Sequence, residues 1–215
     1  MVSPDLAALR AEYAREGLDE AEAGDDPVIL FDRWVTDAVA AGVHESNAMA
    51  LATASAAGRP SVRIVLLKGF DADGAVFYTN YESRKGRELE ENPWASAVLL
   101  WHPLQRQVRI EGRVERVGRA ASDAYFASRP RGAQIGAVAS QQSAPVDDRE
   151  ELEAQVADAE RRFDGRDVER PERWGGYRIA LEVVEFWQGR PNRVHDRLRF
   201  TRSAAHGWDR ERLQP

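Results

Sequence analysis

The apolar pattern changes period once, near Asn47, and that change constrains the fold more than any other feature. Upstream the pattern is helical. Ser3-Pro4 with Leu6, Leu9 and Tyr13 predicts a capped amphipathic helix ending at Gly17, and the acidic residues 19–26 predict a loop. Asp26-Pro27 opens a second helix, carried by Ile29, Leu30, Trp34, Val35 and Ala38 and ended by Gly42. Downstream, residues 48–55, 61–70 and 75–80 read as strands separated by turns at Gly58-Arg59-Pro60 and residues 71–74, an antiparallel meander. Residues 83–91 predict a short helix, 94–101 and 105–117 two strands, and Val108, Ile110, Gly112 and Val114 share one face of the second. Short helices over 122–128 and 133–140 flank Arg129-Pro130-Arg131, and a longer one to Phe163 starts with a capping-box-like Asp148 and Glu151. Residues 177–189 and 193–202 return to strand, and 208–215 are extended. Strands at both ends with helices inserted favour an α+β fold, an antiparallel barrel decorated by helices, over a doubly wound parallel sheet.

With 215 residues, 43% of them hydrophobic, one chain closes one sizeable core, so a single domain over 1–215 is expected. Cysteine is absent, which removes disulfides, thiolate metal sites and cysteine nucleophiles, so redox chemistry requires an organic cofactor. The histidines lack metal-ligand spacing, and no metal is expected. There is no Gly-x-Ser-x-Gly elbow, dinucleotide fingerprint or P-loop. A net charge of −6 argues against nucleic-acid binding. The first residues carry acids and no apolar leader, and no apolar run spans a bilayer, so a cytoplasmic protein without membrane contact is expected.

The cations are lopsided: 28 of 30 are Arg, and Lys68 and Lys85 are the two lysines. Genome base composition explains the arginine excess but leaves the two exceptions, whose compact ammonium suits a tight phosphate site. Arg63 and Lys68 bracket an apolar run on nominally opposite faces, which reads either as two solvated strand ends or as two anion sites. Ser83, Arg84 and Lys85 converge at a helix start, either as an ordinary exposed cap or as a phosphate cradle. Strand alternation puts Arg193, His195 and Arg197 on one face, either an exposed edge or a pocket wall. Trp187 ends an apolar strand, as core or as a stacking platform.

Seven ordered segments together resemble the pyridoxine/pyridoxamine 5′-phosphate oxidase family: RIVLLK at 63–68, FYTN at 77–80, SRKG at 83–86, RQV at 106–108, YFASRPR at 125–131, QIGA with SQQS across 134–143, and FWQG with RVHDR across 186–197. The resemblance implies an FMN-binding split β-barrel, a homodimer with FMN at the interface, and oxidation of pyridoxamine or pyridoxine 5′-phosphate by O2 to pyridoxal 5′-phosphate and H2O2. It implies FMN contacts from Arg63, Ile64, Val65, Leu66, Leu67, Lys68, Tyr78, Thr79, Arg84, Lys85, Gln107, Gln142, Ser143, Trp187 and Arg197. Substrate contacts would be Lys68, Tyr125, Arg129, Arg193 and His195, with Arg193 and His195 at the reacting carbon. Arg10 and Tyr13, on the helix over residues 1–17, resemble a substrate lid. One departure is Ala133, where many members carry Ser near the substrate phosphate; a backbone N–H or Gln134 are the candidate replacements. A phenazine-type oxidase on the same fold and a non-catalytic flavin or pyridoxal-phosphate binder are the competing readings.

Overall fold

Asp26 accepts from the Val28 N–H at 2.8 Å and Pro27 occupies the first helical position, so the second helix starts where the sequence places it. The computed structural model describes Tyr13 and residues 17–215. Their elements are α1 (Glu20–Ala23), α2 (Pro27–Ala40), β1 (Ala48–Ala54), β2 (Pro60–Leu66), β3 (Gly69–Asp71), β4 (Gly74–Asn80), α3 (Arg84–Glu91), β5 (Trp94–Trp101), β6 (Arg106–Arg116), α4 (Arg119–Ser128), α5 (Arg131–Ala139), α6 (Arg149–Arg162), β7 (Trp174–Ile179), β8 (Val183–Gln188), β9 (Asp196–Ser203) and β10 (Gly207–Arg212). Every strand pairing with a determined register is antiparallel, which gives the α+β class expected. The first expected helix, with Arg10, lies outside the described residues except for Tyr13 and Gly17. No helix among the described residues is long and apolar enough to cross a membrane.

The chain divides into two compact units, and it passes between them inside β1, β5 and β6 and again after Leu181. One unit comprises the described residues up to Ala48, Val98–Ile110 and Glu182–Pro215. Its core is aromatic: Trp34 on α2 meets Phe186 edge-on at 5.2 Å and Trp101 at 6.4 Å, and Phe186 meets Phe200 at 5.8 Å. All four rings are buried, so truncating one would cost about 3–5 kcal/mol. β8 and β9 pair from Val183↔Thr201 to Gln188↔Asp196, and β10 continues on β9.

The other unit comprises Met49–Ala97 and Glu111–Leu181. β4 pairs with β3 and β7, in register Phe77↔Tyr177 and Tyr78↔Gly176, and is buried along nearly its whole length. Phe126, Ile135, Ala159, Phe163 and Trp174 form a second cluster where α4, α5 and α6 pack. Along β6, Val108 and Ile110 in the first unit and Gly112 and Val114 in this one are all buried, as the alternation predicts.

Four expectations are corrected. Residues 19–26 are not all loop, because Asp19 accepts from the Glu22 N–H at 2.7 Å and closes the single turn α1. The strand over 61–70 breaks after Leu66, and Lys68 donates its N–H to Val76 O at 2.7 Å ahead of β3. The run over 177–189 breaks into β7 and β8, and Ala180 between them donates to Arg113 O at 2.8 Å. Arg193 and His195 are not on a strand: residues 191–193 form a 3-10 turn with Asn192 at φ 57° and Arg193 at φ 60°, so alternation cannot align Arg193, His195 and Arg197.

Gly86 fixes the seat of α3, since a Cβ there would lie 2.0 Å from the Tyr81 carbonyl oxygen. The Gly86→Ala change is expected to destabilise the fold by about 1–3 kcal/mol in urea unfolding, and an unchanged midpoint would show that α3 shifts freely.

Candidate functional site

Residues from β2, β4, α3 and α4 line a cavity of about 280 Å³ in the second unit: Ile64, Val65, Leu66, Lys68, Tyr78, Thr79, Lys85, Tyr125, Arg129, Gln142 and Trp174. Ten of these are residues singled out in the sequence; Trp174 is the addition. Ser83 caps α3 by accepting from the Gly86 N–H at 3.3 Å, which turns Lys85 inward. The buried Lys85 ammonium donates to Gln142 Oε1 at 2.8 Å, Thr79 Oγ1 at 3.0 Å and Ser83 Oγ at 3.4 Å. Every one of these acceptors is neutral. Burial, and then the nearby charge of Arg63, brings the Lys85 pKa down to about 8.

Arg63 and Arg84 have a different fate. Arg63 donates to Leu51 O at 3.1 Å, to Thr53 Oγ1 at 2.6 Å and to Ser61 Oγ, and lies 3.4 Å from Glu88 Oε2. Arg84 meets the other oxygen of Glu88 at 2.9 Å. Glu88 therefore supplies both arginines with an anionic partner within the chain. Burial opposes ionisation of Glu88, but hydrogen bonds from Ser61, Thr53 and Arg84 outweigh it and carry the carboxyl down to about 2.

Arg129 follows neither pattern. Its guanidinium lies 4.7 Å over the Trp174 ring and 5.8 Å from that of Phe126, and its buried Nη1 has no hydrogen-bond partner among the described residues. Burial, partly offset by Tyr125, lowers its pKa. Tyr125 stacks on Tyr78 at 3.9 Å, and a further cavity of about 300 Å³ shares Arg129, Gln142 and Trp174 and reaches Ala133. The Gln134 side chain and the two nearest backbone N–H groups are all engaged near Ala133. Gln134 Nε2 donates to Phe126 O at 3.0 Å and Ala127 O at 3.2 Å, and the N–H groups of Ala133 and Gln134 both donate to Pro130 O. Leu67 is buried and Ser143 is exposed at φ 73°, and neither lines this cavity.

In the first unit, Gln107, Trp187 and Arg197 line a cavity of about 210 Å³ with Arg109 and Glu185. Glu185 is buried in the apolar run of β8 and accepts from Arg197 at 2.8 and 3.1 Å and from Arg109 at 2.6 Å. His195 packs 4.6 Å from the Trp187 ring and 5.5 Å from that of Tyr13. Its Nδ1 accepts from the Arg190 N–H at 3.1 Å, so the neutral ring carries its proton on Nε2. Burial, then the charge of Arg193, lowers its pKa against the opposing pull of Asp196, which favours that neutral form. Arg193 is exposed. The larger cavity of about 370 Å³ beside α2 holds none of the expected residues, and Arg106 there is engaged by Trp34, Gln188 and Asp37.

Sequence reasoning missed Glu88, Glu185 and Trp174. Glu88 sits four residues after Arg84 on α3 and Glu185 is a lone acid in an apolar strand, signals that were available; Trp174 carried none.

The depressed pKa of Lys85 has a definite sign. Between about pH 8 and 10.5 the unfolded chain still holds a proton that the folded protein has shed, so stability rises with pH across that window. The rise, at most about 3 kcal/mol, is expected to vanish in Lys85→Met when urea unfolding is compared across the window. Equal slopes in both proteins would refute the neutral cage.

The family model for pyridoxamine 5′-phosphate oxidase matches residues 35–163, and that for the pyridoxine 5′-phosphate oxidase C-terminal dimerisation region matches residues 174–215. A Rubrobacter xylanophilus protein named pyridoxine/pyridoxamine 5′-phosphate oxidase is 58% identical over 98% of this chain and 97% of its own length. A Burkholderia multivorans protein of the same name is 56% identical over 98% and 99%. Among solved structures, PhzG from Burkholderia lata, in complex with tetrahydrophenazine-1-carboxylic acid, superposes with a TM-score of 0.85 at 36% identity, covering 91% of this chain and 95% of that one. A Nostoc punctiforme FMN-binding protein related to pyridoxamine 5′-phosphate oxidase shares the fold, with a TM-score of 0.70 at 18% identity over 86% of this chain and 97% of its own. Sequence and fold agree, and the chain belongs to the pyridoxine/pyridoxamine 5′-phosphate oxidase family.

Proposed function

We propose that this protein is an FMN-dependent oxidase that converts pyridoxamine and pyridoxine 5′-phosphates to pyridoxal 5′-phosphate, reducing O2 to H2O2, as a cytoplasmic homodimer. The observation that carries the reading is a pair of cations, the buried Lys85 and the half-buried Arg129, that line one cavity and have no carboxylate among their hydrogen-bond and ion-pair partners in the described residues. Each suits a phosphate monoester. Lys85, Ser83 and the amino end of α3 fit the phosphate of FMN, which favours a helix N-terminus. Arg63 and Arg84 flank that point, and Gln142 and Thr79 complete its polar rim. Gln107, Trp187 and Arg197 are assigned to the flavin by the same reading. When bound there, FMN would supply the two-electron redox chemistry between the substrate C4′ carbon and O2.

The chain's own part is to bind, orient and exclude water. Lys68, Tyr125 and Arg129 receive the substrate phosphate. Arg193 stabilises charge near the reacting carbon, and His195, whose ring lies beside that of Tyr13, orients the substrate through its Nε2–H. Pyridoxine 5′-phosphate oxidation needs only O2; the amine also consumes a water and releases ammonia. The similarity to PhzG makes a phenazine-type oxidase the second reading. The convergence of Lys68, Tyr125 and Arg129 on one cavity favours a phosphorylated substrate instead.

Incubating the FMN-loaded protein with either vitamer in air is expected to give aldehyde and peroxide in equal amounts; bound flavin without product would favour the phenazine-type reading or a binder. Lys68→Ala is expected to raise KM about tenfold to a hundredfold with kcat largely held, and Arg193→Ala to lower kcat, while matching changes in both parameters in both variants would dissolve that division of roles. Residues 1–215 act as one domain on this reading, because neither unit is a continuous segment. Calorimetry should then show one transition, and two resolved transitions would refute it.

A further inference from the structure

Arginines around the two cavities are mostly neutralised: Arg63 and Arg84 by Glu88, Arg109 and Arg197 by Glu185. Arg129 is instead held by rings. Trp174, at the start of β7 opposite Asn80, is buried, and its ring lies almost parallel to those of Tyr78 (13°) and Tyr125 (6°). It lines both cavities that Arg129 lines. A ring face attracts a guanidinium through its quadrupole but accepts little from its N–H donors and contributes no net charge. A carboxylate in that place would fix the arginine equally well, and it would also cancel the charge and occupy the donors that a phosphate needs.

We infer that Trp174 is the positioning residue of the substrate-phosphate site: its ring holds Arg129 in place while leaving the charge and the Nη1 donors of Arg129 available to a phosphate monoester. It thereby sets the preference for phosphorylated over unphosphorylated vitamers. The inference rests on the proposed reading of the cavity, and it assigns Trp174 an action through Arg129 rather than a contact with substrate.

The test measures the affinity of the FMN-loaded protein for pyridoxal 5′-phosphate and for pyridoxal in Trp174→Leu, Trp174→Phe, Arg129→Gln and the Trp174→Leu/Arg129→Gln double variant. Trp174→Leu is expected to weaken pyridoxal 5′-phosphate binding on the order of tenfold and to leave pyridoxal unchanged. Trp174→Phe, which keeps a ring face, should recover most of that loss. In the Arg129→Gln background Trp174→Leu should add nothing, because the group it acts through is gone. Equal losses for both ligands, or additive losses in the double variant, would reduce Trp174 to packing and overturn the inference. A loss in Arg129→Gln without one in Trp174→Leu overturns the inference alone; Arg129→Gln with no loss at all removes the phosphate reading of the cavity as well.

Discussion

The Glu88 carboxylate ties β1, β2 and α3 together, and the geometry of the cavity follows from that tie. A buried carboxylate is costly unless its lone pairs are filled. Here Thr53 of β1, Ser61 and Arg63 of β2, and Arg84 of α3 fill them. Because the donors come from three elements, the ion cannot be satisfied unless α3 starts beside the strand pair. Gly86, pressed against the Tyr81 carbonyl, allows the close approach, and Lys85 is then committed inward between its two neighbours. The helix is only eight residues long, too short to be stable by itself, so its position is a tertiary property.

From this follows a sorting of cations by the group each one meets. Where an arginine braces the structure, a buried acid meets it: Glu88 for Arg63 and Arg84, Glu185 for Arg109 and Arg197. Where Lys85 and Arg129 line the cavity, the partners are amide, hydroxyl and ring. Neutral partners recover only part of the desolvation cost of a charge, so both cations are stabilised further by an incoming anion. The two lysines of this arginine-rich chain line one cavity, Lys85 buried and Lys68 exposed.

Much of the architecture could be read from sequence because its signals are local. The change of period at Asn47, the Asp26-Pro27 start of α2, the Ser83 cap of α3 and the Asp148 cap of α6 each depend on neighbours a few residues away. The inward face of β6 needs only period two. What failed needed information from elsewhere in the chain. Alternation over 193–197 assumed an extended backbone, but the positive φ of Asn192 and Arg193 turns the chain just before β9. The glutamate that meets Arg63 lies on a later helix, so the strand itself carries no sign of it. Anion demand is present, at Lys85 and Arg129, and telling which cations carry it requires knowing where the acids are. The convergence of Tyr125, Arg129 and Gln142 on β2 and β4 came from family resemblance, because separations of this length leave no local pattern.

Ala133 shows how the cavity tolerates a missing donor. Gln134 is bonded to Phe126 and Ala127, and the Ala133 and Gln134 N–H groups both donate to Pro130, so neither residue takes over from a hydroxyl. On the proposed reading, recognition of the substrate phosphate then falls to Lys68, Tyr125 and Arg129. Of these, Lys68 is an exposed, flexible ammonium whose contribution solvent screens. Arg129 is held against rings with its Nη1 buried, and a charge-assisted hydrogen bond formed there is worth more than at an exposed site. A chain without the α5 hydroxyl therefore depends more heavily on how Arg129 is held, and the group that holds it is the ring of Trp174.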